Sequence, residues 1–115
     1  MTVERMIEAS STLRDDVESF ADSLVKEGSV DVVYNPLAYA WEPHRAYLES
    51  AAGGGAKTLL LGMNPGPHGM GQMGIPFAAT SVVRDLLKIT DLEVGQPRNP
   101  HPKRPVSGLD WPKEE

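Results

Sequence analysis

The sequence has 115 residues and 40% hydrophobic content, which fits one soluble globular domain and no more. It contains no cysteine and three scattered histidines, so disulfides and thiolate sites are excluded, no zinc ligand set stands out, and neither metal nor cofactor is expected. A net charge of −5 excludes a domain that is basic all over, though not a local basic patch; the absence of a signal-like or membrane-length apolar segment makes an intracellular protein the expectation.

Leu13, Val17, Phe20 and Leu24 fall at helical spacing among Asp15, Asp16, Glu18 and Asp22, which predicts an amphipathic helix from Thr12 to about Lys26, ended by Gly28. The first 28 residues form this helical segment, and its acidic side reads as a solvated face. Val30 to Tyr34 is a short β-rich run, and Asn35-Pro36 marks a turn. A helix with Pro43 in its first turn should then run to about Ala52 and stop at Gly53-Gly54-Gly55. From about Lys57 the continuous apolar run Thr58-Leu59-Leu60-Leu61 reads as a buried, parallel strand. Strand, helix, strand is the order of an α/β domain, and in open α/β sheets ligands bind where a strand delivers its loop.

That loop is the informative stretch. Of the fifteen residues from Gly62 to Pro76, five are glycine and three are proline, a composition that fixes turns and lets backbone approach a ligand closely. One conventional polar side chain, Asn64, stands at the mouth of the strand. As an isolated Asn-Pro it would be a turn residue; in this setting its amide can orient a water, which suffices where the leaving group departs early and the nucleophile needs only positioning. Phe77 is either core or a platform whose face meets a planar base. Asn35, Tyr39 and His44 each pass as a turn residue, a core aromatic and a helix-surface histidine. Gly69, Gly71 and Gly74 match G-x-G-x-x-G in form, but Pro76 follows where a helix should continue, and Gln72-Met73 replace the Lys-Ser/Thr of a P-loop. Nucleotide binding and phosphoryl transfer are therefore disfavoured. Past the loop, Val82, Val83, Leu86 and Leu87 predict a helix from Thr80 or Ser81 to about Ile89, capped by a hydroxyl and packed on the sheet. From Gln96 onward, Pro97, Pro100, Pro102, Pro105 and Pro112 alternate with Arg98, His101, Lys103 and Arg104, which reads as an extended, partly basic loop over 96–115.

The block Gly62-Met63-Asn64-Pro65-Gly66-Pro67, with Gly69-Met70, Gln72 and Gly74-Ile75-Pro76-Phe77, resembles the first active-site motif of the single-strand-selective monofunctional uracil-DNA glycosylases, within the uracil-DNA glycosylase superfamily. Two flanking blocks carry the same resemblance: Val33 to Leu37 with Tyr39 to Arg45, and His101 to Pro105. The similarity runs in order from about Val33 to Gly108 and leaves out the N-terminal helix. The resemblance implies a three-layer α/β/α fold with a mostly parallel central sheet, of which 1–115 would be the N-terminal part, with 29–95 carrying strand, helix, strand, loop and helix. It implies that Asn64 positions the attacking water and that Phe77 stacks on the flipped uracil. Main-chain groups around Met63 would contact the base, and Gly66 to Met70 would shape the pocket near its C5 edge.

The partner so implied is DNA containing uracil or a modified pyrimidine, the setting is base excision repair, and the complete protein would be a monomer. The compartment would be the nucleus in a eukaryote and the cytoplasm in a bacterium. Arg98, Lys103 and Arg104 are the residues expected to meet phosphate, and the loop offers no lysine for a Schiff base, consistent with a monofunctional enzyme. Departures from the family pattern are His68 in place of an aromatic residue and Ala78-Ala79 in place of Gly-Glu, where a positive φ at Ala78 would cost strain. The second family motif, with its leaving-group histidine, has no counterpart, so the chain alone is expected to turn over little substrate. Two other classes stay open: a non-catalytic remnant or DNA-binding module on the same scaffold, and a structural α/β domain whose glycine loop holds another small ligand.

Overall fold

One long helix frames the molecule. α1 spans Val3–Lys26, 24 residues, in a computed structural model that describes residues 2–52 and 54–113. The Thr2 side chain accepts a bond from the Arg5 N–H at 3.3 Å and so caps the helix, which explains why it begins well before Thr12. Glu4 in the first turn and Lys26 in the last complement the helix dipole. After the last turn Gly28 takes φ +82°, as expected for a glycine terminator.

The face that α1 buries is rotated from the stripe that Leu13, Val17, Phe20 and Leu24 predict, and keeps only Val17 and Leu24 of it. Val3, Ile7, Ser10, Arg14, Val17, Ala21 and Leu24 are wholly or partly covered, whereas Leu13 and Phe20 are 54% and 63% exposed. The packed row passes through Arg14 because its guanidinium lies 4.6 Å from the centre of the Trp41 ring, a cation–π contact that lets a charge sit on the covered face.

α2 (Pro36–Tyr39) and α3 (Trp41–Ala51) pack on α1. Pro36 opens α2, where its missing N–H costs nothing. Asn35 stands at the N-cap position but turns its side chain to α1, donating to the Arg14 carbonyl at 2.9 Å and to Glu18 Oε1 at 3.0 Å. It is a tether between helices. α3 starts ahead of Pro43, which falls in its first turn. The helix closes with the Ala52 N–H on the Leu48 carbonyl at 3.0 Å; of the glycines expected to stop it, Gly53 lies outside the described residues. A four-residue helix, α4 (Met70–Met73), ends at Gly74, whose φ is +72°. A Cβ there would lie 2.9 Å from the Ala40 carbonyl oxygen, so the close approach of α4 to the junction of α2 and α3 requires glycine.

The expected three-layer α/β/α arrangement with a parallel central sheet is not what the chain adopts. Among the described residues there is no strand. The run expected as the central strand is extended but uncovered, with Leu59, Leu60 and Leu61 at 86%, 70% and 89% exposure, and among the described residues no backbone hydrogen bond reaches 57–62. A strand is not a local structure: it exists when a second backbone accepts and donates its ladder. The other β-rich run, 30–34, is engaged elsewhere, its Tyr34 hydroxyl bonded to the backbone of His101 and Arg104. The helix expected over Thr80 to Ile89 is also corrected. It shortens to 80–86, with Thr80 and Ser81 helical and leading into a single π-turn, Val82–Leu86, in which only Val83 is buried while Leu86 is 74% exposed. With no sheet to receive the stripe, packing cannot extend the helix, and Lys88 at φ +57° breaks it. Neither hydroxyl caps the turn: Ser81 makes no capping bond and Thr80 donates to the Trp111 carbonyl at 3.0 Å.

Two small cores hold these pieces. Met73, Ile75, Val83 and Ile89 form one, with Ala46, Tyr47 and Leu109 packed on it. Tyr39, Ala40 and Val106 form the other, flanked by Tyr34 and Val94. Each joins the glycine-rich region or α2 to the proline-rich C-terminal segment, so the middle of the sequence is fastened from both ends.

Candidate functional site

The glycine-rich loop is held from below. The Gly71 N–H closes on the Gly66 carbonyl at 2.7 Å, and a Cβ on Gly71 would sit at 2.7 Å from that same oxygen, so the turn admits only glycine. The Tyr39 hydroxyl donates to the Gly71 carbonyl at 2.5 Å, and burial, with Tyr34 nearby, pushes its phenol well above the ordinary tyrosine range. His44, expected on a helix surface, is buried instead. Its Nδ1 lies 2.7 Å from the Gly74 carbonyl and its Nε2 3.2 Å from Ser10 Oγ. A carbonyl only accepts, so Nδ1 carries the proton and Nε2 accepts from the serine. Burial lowers the pKa of this imidazole, against the opposing pull of the Gly74 bond.

Gln72 is the hub. At 2% exposure, its Nε2 donates to the Pro67 and Pro105 carbonyls, each at 3.0 Å. Its Oε1 accepts from Ser107 N–H at 2.8 Å and Gly108 N–H at 3.3 Å. Every bond of the amide is used, and the loop over 62–69 is fixed to the proline-rich segment. A second clamp joins the same regions: Trp111 Nε1–H donates to His68 Nδ1 at 3.0 Å, with the two rings 5.6 Å apart and 17° from parallel.

On this base the loop opens a cavity of about 670 Å³. Asn64, Met63, Gly66, Met70 and Phe77 all line it, together with Leu13 of α1. Asn64 is exposed and donates from Nδ2 to the Pro65 carbonyl at 3.3 Å; among the described residues its Oδ1 has no protein donor, which leaves an acceptor for a water. Phe77 is 70% exposed and takes φ +57°. Its ring edge lies over Gly62, where a Cβ would come within 3.3 Å of Cζ. The positive φ foreseen as a risk at Ala78 thus falls one residue earlier, on the aromatic side chain itself, and strain of this kind collects at functional positions. Leu13, placed in the sequence on the apolar stripe of an amphipathic helix, is a wall of this cavity, and nothing in helical spacing distinguishes a cavity wall from a packed residue.

The three cations expected to meet phosphate differ. Arg98 Nε meets Glu18 Oε2 at 3.1 Å and its Nη2 meets Asp22 Oδ1 at 2.5 Å, which raises its pKa through the Asp22 bond first and the Glu18 charge after it. It anchors the loop to α1. Lys103 and Arg104 are exposed, and among the described residues neither has an ion-pair partner.

No family model matches the chain. Single-strand selective monofunctional uracil DNA glycosylase of Bos taurus is 54% identical to it over 86 residues, 75% of this chain. The proteins of that name from Rattus norvegicus and Mus musculus are each 52% identical over the same length. The chain is related to the single-strand selective monofunctional uracil-DNA glycosylases. It spans about a third of the length of these curated relatives, 31%, 31% and 30% in turn.

Proposed function

We propose that this chain supplies the water-positioning and base-stacking side of a uracil-DNA glycosylase pocket that acts in base excision repair. The observation that carries the reading is the single cavity onto which Asn64, Met63, Gly66, Met70 and Phe77 all open. In this reading a flipped pyrimidine lies against Phe77, backbone at Met63 and Gly66 borders its polar edge, and Met70 limits the space beside C5. Asn64 Oδ1 holds a water whose oxygen bonds to C1′ as the C1′–N1 bond breaks, the base leaving with the electron pair and taking up the proton that the water sheds. Orientation is the larger part of what an amide can contribute here, because the sugar develops cationic character before the water must react. Lys103 and Arg104 contact the phosphate backbone, while Arg98 would first have to leave Glu18 and Asp22. Uracil and oxidised pyrimidines are both admitted by a pocket of this size.

The cavity has one built wall and an open side, which also favours a narrower reading in which the 115-residue chain binds the base without turning it over. One experiment addresses both. Single-turnover cleavage of uracil-containing single-stranded DNA is measured for this chain and for a protein of the relatives' full length that carries it, each with Asn64 and with Asn64→Ala. The full-length form should lose turnover by orders of magnitude on substitution while binding stays nearly intact. An unchanged rate would remove Asn64 from the chemistry.

A further inference from the structure

Two stretches more than sixty residues apart meet at one phenolic oxygen. Tyr34 Oη accepts from the His101 N–H at 2.7 Å and donates to the Arg104 carbonyl at 2.7 Å, across separations of 67 and 70 residues. Between these two points the chain makes a tight turn, with the Arg104 N–H on the His101 carbonyl at 2.9 Å and Pro102 in the position where proline presets φ. The Lys103 N–H donates to His101 Nδ1 at 3.1 Å, which holds the imidazole against the turn. Tyr34 is itself fixed, its ring edge-to-face with Tyr39 at 6.1 Å, and Tyr39 in turn holds Gly71 of the cavity loop. The tip so built carries Lys103 and Arg104 side by side and exposed. The neighbouring cation, Arg98, is neutralised by α1.

We propose that the turn His101–Arg104 is a preformed site for the phosphates of single-stranded nucleic acid, and that Tyr34 is its positioning residue. The argument is entropic and electrostatic together. Two long cationic side chains on a free proline-rich loop would each have to be ordered when they bind. On a turn closed by its own hydrogen bond, by Pro102 and by the Tyr34 hydroxyl, the backbone is ordered in advance, and only the side chains remain to be placed. In a chain of net charge −5, such a local fixed pair is what an anionic polymer can find. This inference rests on DNA as the partner of the cavity, and it adds the residue that makes the phosphate contact possible.

The test uses the full chain and a labelled oligothymidylate without uracil, so that base recognition does not enter. Affinity is measured between 50 and 200 mM salt for the wild type, for Lys103→Gln with Arg104→Gln, for Tyr34→Phe and for Pro102→Gly. Two phosphate contacts on a single strand give a salt slope of about −1.4, so the wild type should lose about sevenfold more affinity across that range than the double variant. Tyr34→Phe keeps the ring and removes only the oxygen, and should weaken binding several-fold by the same factor at every salt concentration, with the slope and the far-ultraviolet helix signal unchanged, because the cost added is one of ordering and not of charge. Pro102→Gly loosens the same turn from the other side with Tyr34 intact, and should do the same. A double variant that flattens while Tyr34→Phe and Pro102→Gly keep the wild-type affinity overturns the preformed turn and leaves the DNA reading standing. A double variant with the wild-type slope removes the phosphate site altogether.

Discussion

Replacing Gln72 by methionine would leave a side chain of nearly the same length and shape with none of its four hydrogen bonds. The magnitude follows from what happens to the four partners. Pro67, Pro105 and Ser107 are exposed residues, so their freed backbone groups can bind water, and each lost bond should cost the usual net of about 1 kcal/mol. Gly108 is buried, and its stranded N–H carries a desolvation penalty of about 1–3 kcal/mol, of which the lower end applies because its bond to Gln72 is long. The sum is about 4 kcal/mol, against a total stability of about 5–15 kcal/mol for a domain, so the variant should sit near its unfolding threshold. Urea titration reads this directly, with Trp111 as a reporter because it stacks on His68 beside the hub. Gln72→Glu sharpens the test. A carboxylate still accepts from Ser107 and Gly108 but faces the Pro67 and Pro105 carbonyl oxygens, so its folded-state pKa must rise; the variant should be most stable in acid and lose stability as pH increases. A loss below about 1 kcal/mol for Gln72→Met, or a Gln72→Glu variant indifferent to pH, would refute the hub.

Phe77→Gly should separate stability from function: relief of the positive φ is expected to raise stability by about 1 kcal/mol, while loss of the ring weakens binding of a uracil-containing single strand by about 1–3 kcal/mol, both read on the same preparation by urea titration and fluorescence anisotropy. His44 sets the acid side of the stability profile. Its folded pKa is lowered by burial, so the unfolded chain binds the proton more readily; the contribution is complete above the ordinary histidine pKa of about 6.5 and is lost as pH falls below it. Thermal melts from pH 7.5 to 5 should show that decline, and His44→Gln should flatten it.

What could be read from the sequence was local. The periodicity from Leu13 to Leu24 marks α1, Gly28 sits at its terminus with the positive φ that glycine tolerates, and the five loop residues singled out between Met63 and Phe77 line one cavity. What could not be read depends on partners far along the chain. The leucine run reads as a strand because its residues are apolar and contiguous, yet whether it becomes one is decided by a neighbouring backbone that no window of sequence contains. Gln72 passes for a failed P-loop lysine position, since its partners at Pro105, Ser107 and Gly108 lie more than thirty residues on. Arg14 and Leu13 exchange the faces that hydropathy assigns them because Trp41 offers its ring to a cation.

The uncovered run Thr58 to Leu61 also governs how this chain can be handled in solution. Four consecutive residues without charge, extended and with idle backbone donors and acceptors, are the template on which identical chains stack edge to edge. Lys57 on one side and Pro65 on the other act as gatekeepers, and the net charge of −5 keeps copies apart while ionic strength is low. Salt removes that repulsion, since the screening length shrinks to roughly 8 Å at physiological strength. Adding salt therefore works twice on this molecule, releasing it from a polyanion and drawing it toward its own kind, and light scattering belongs beside every salt titration made with it.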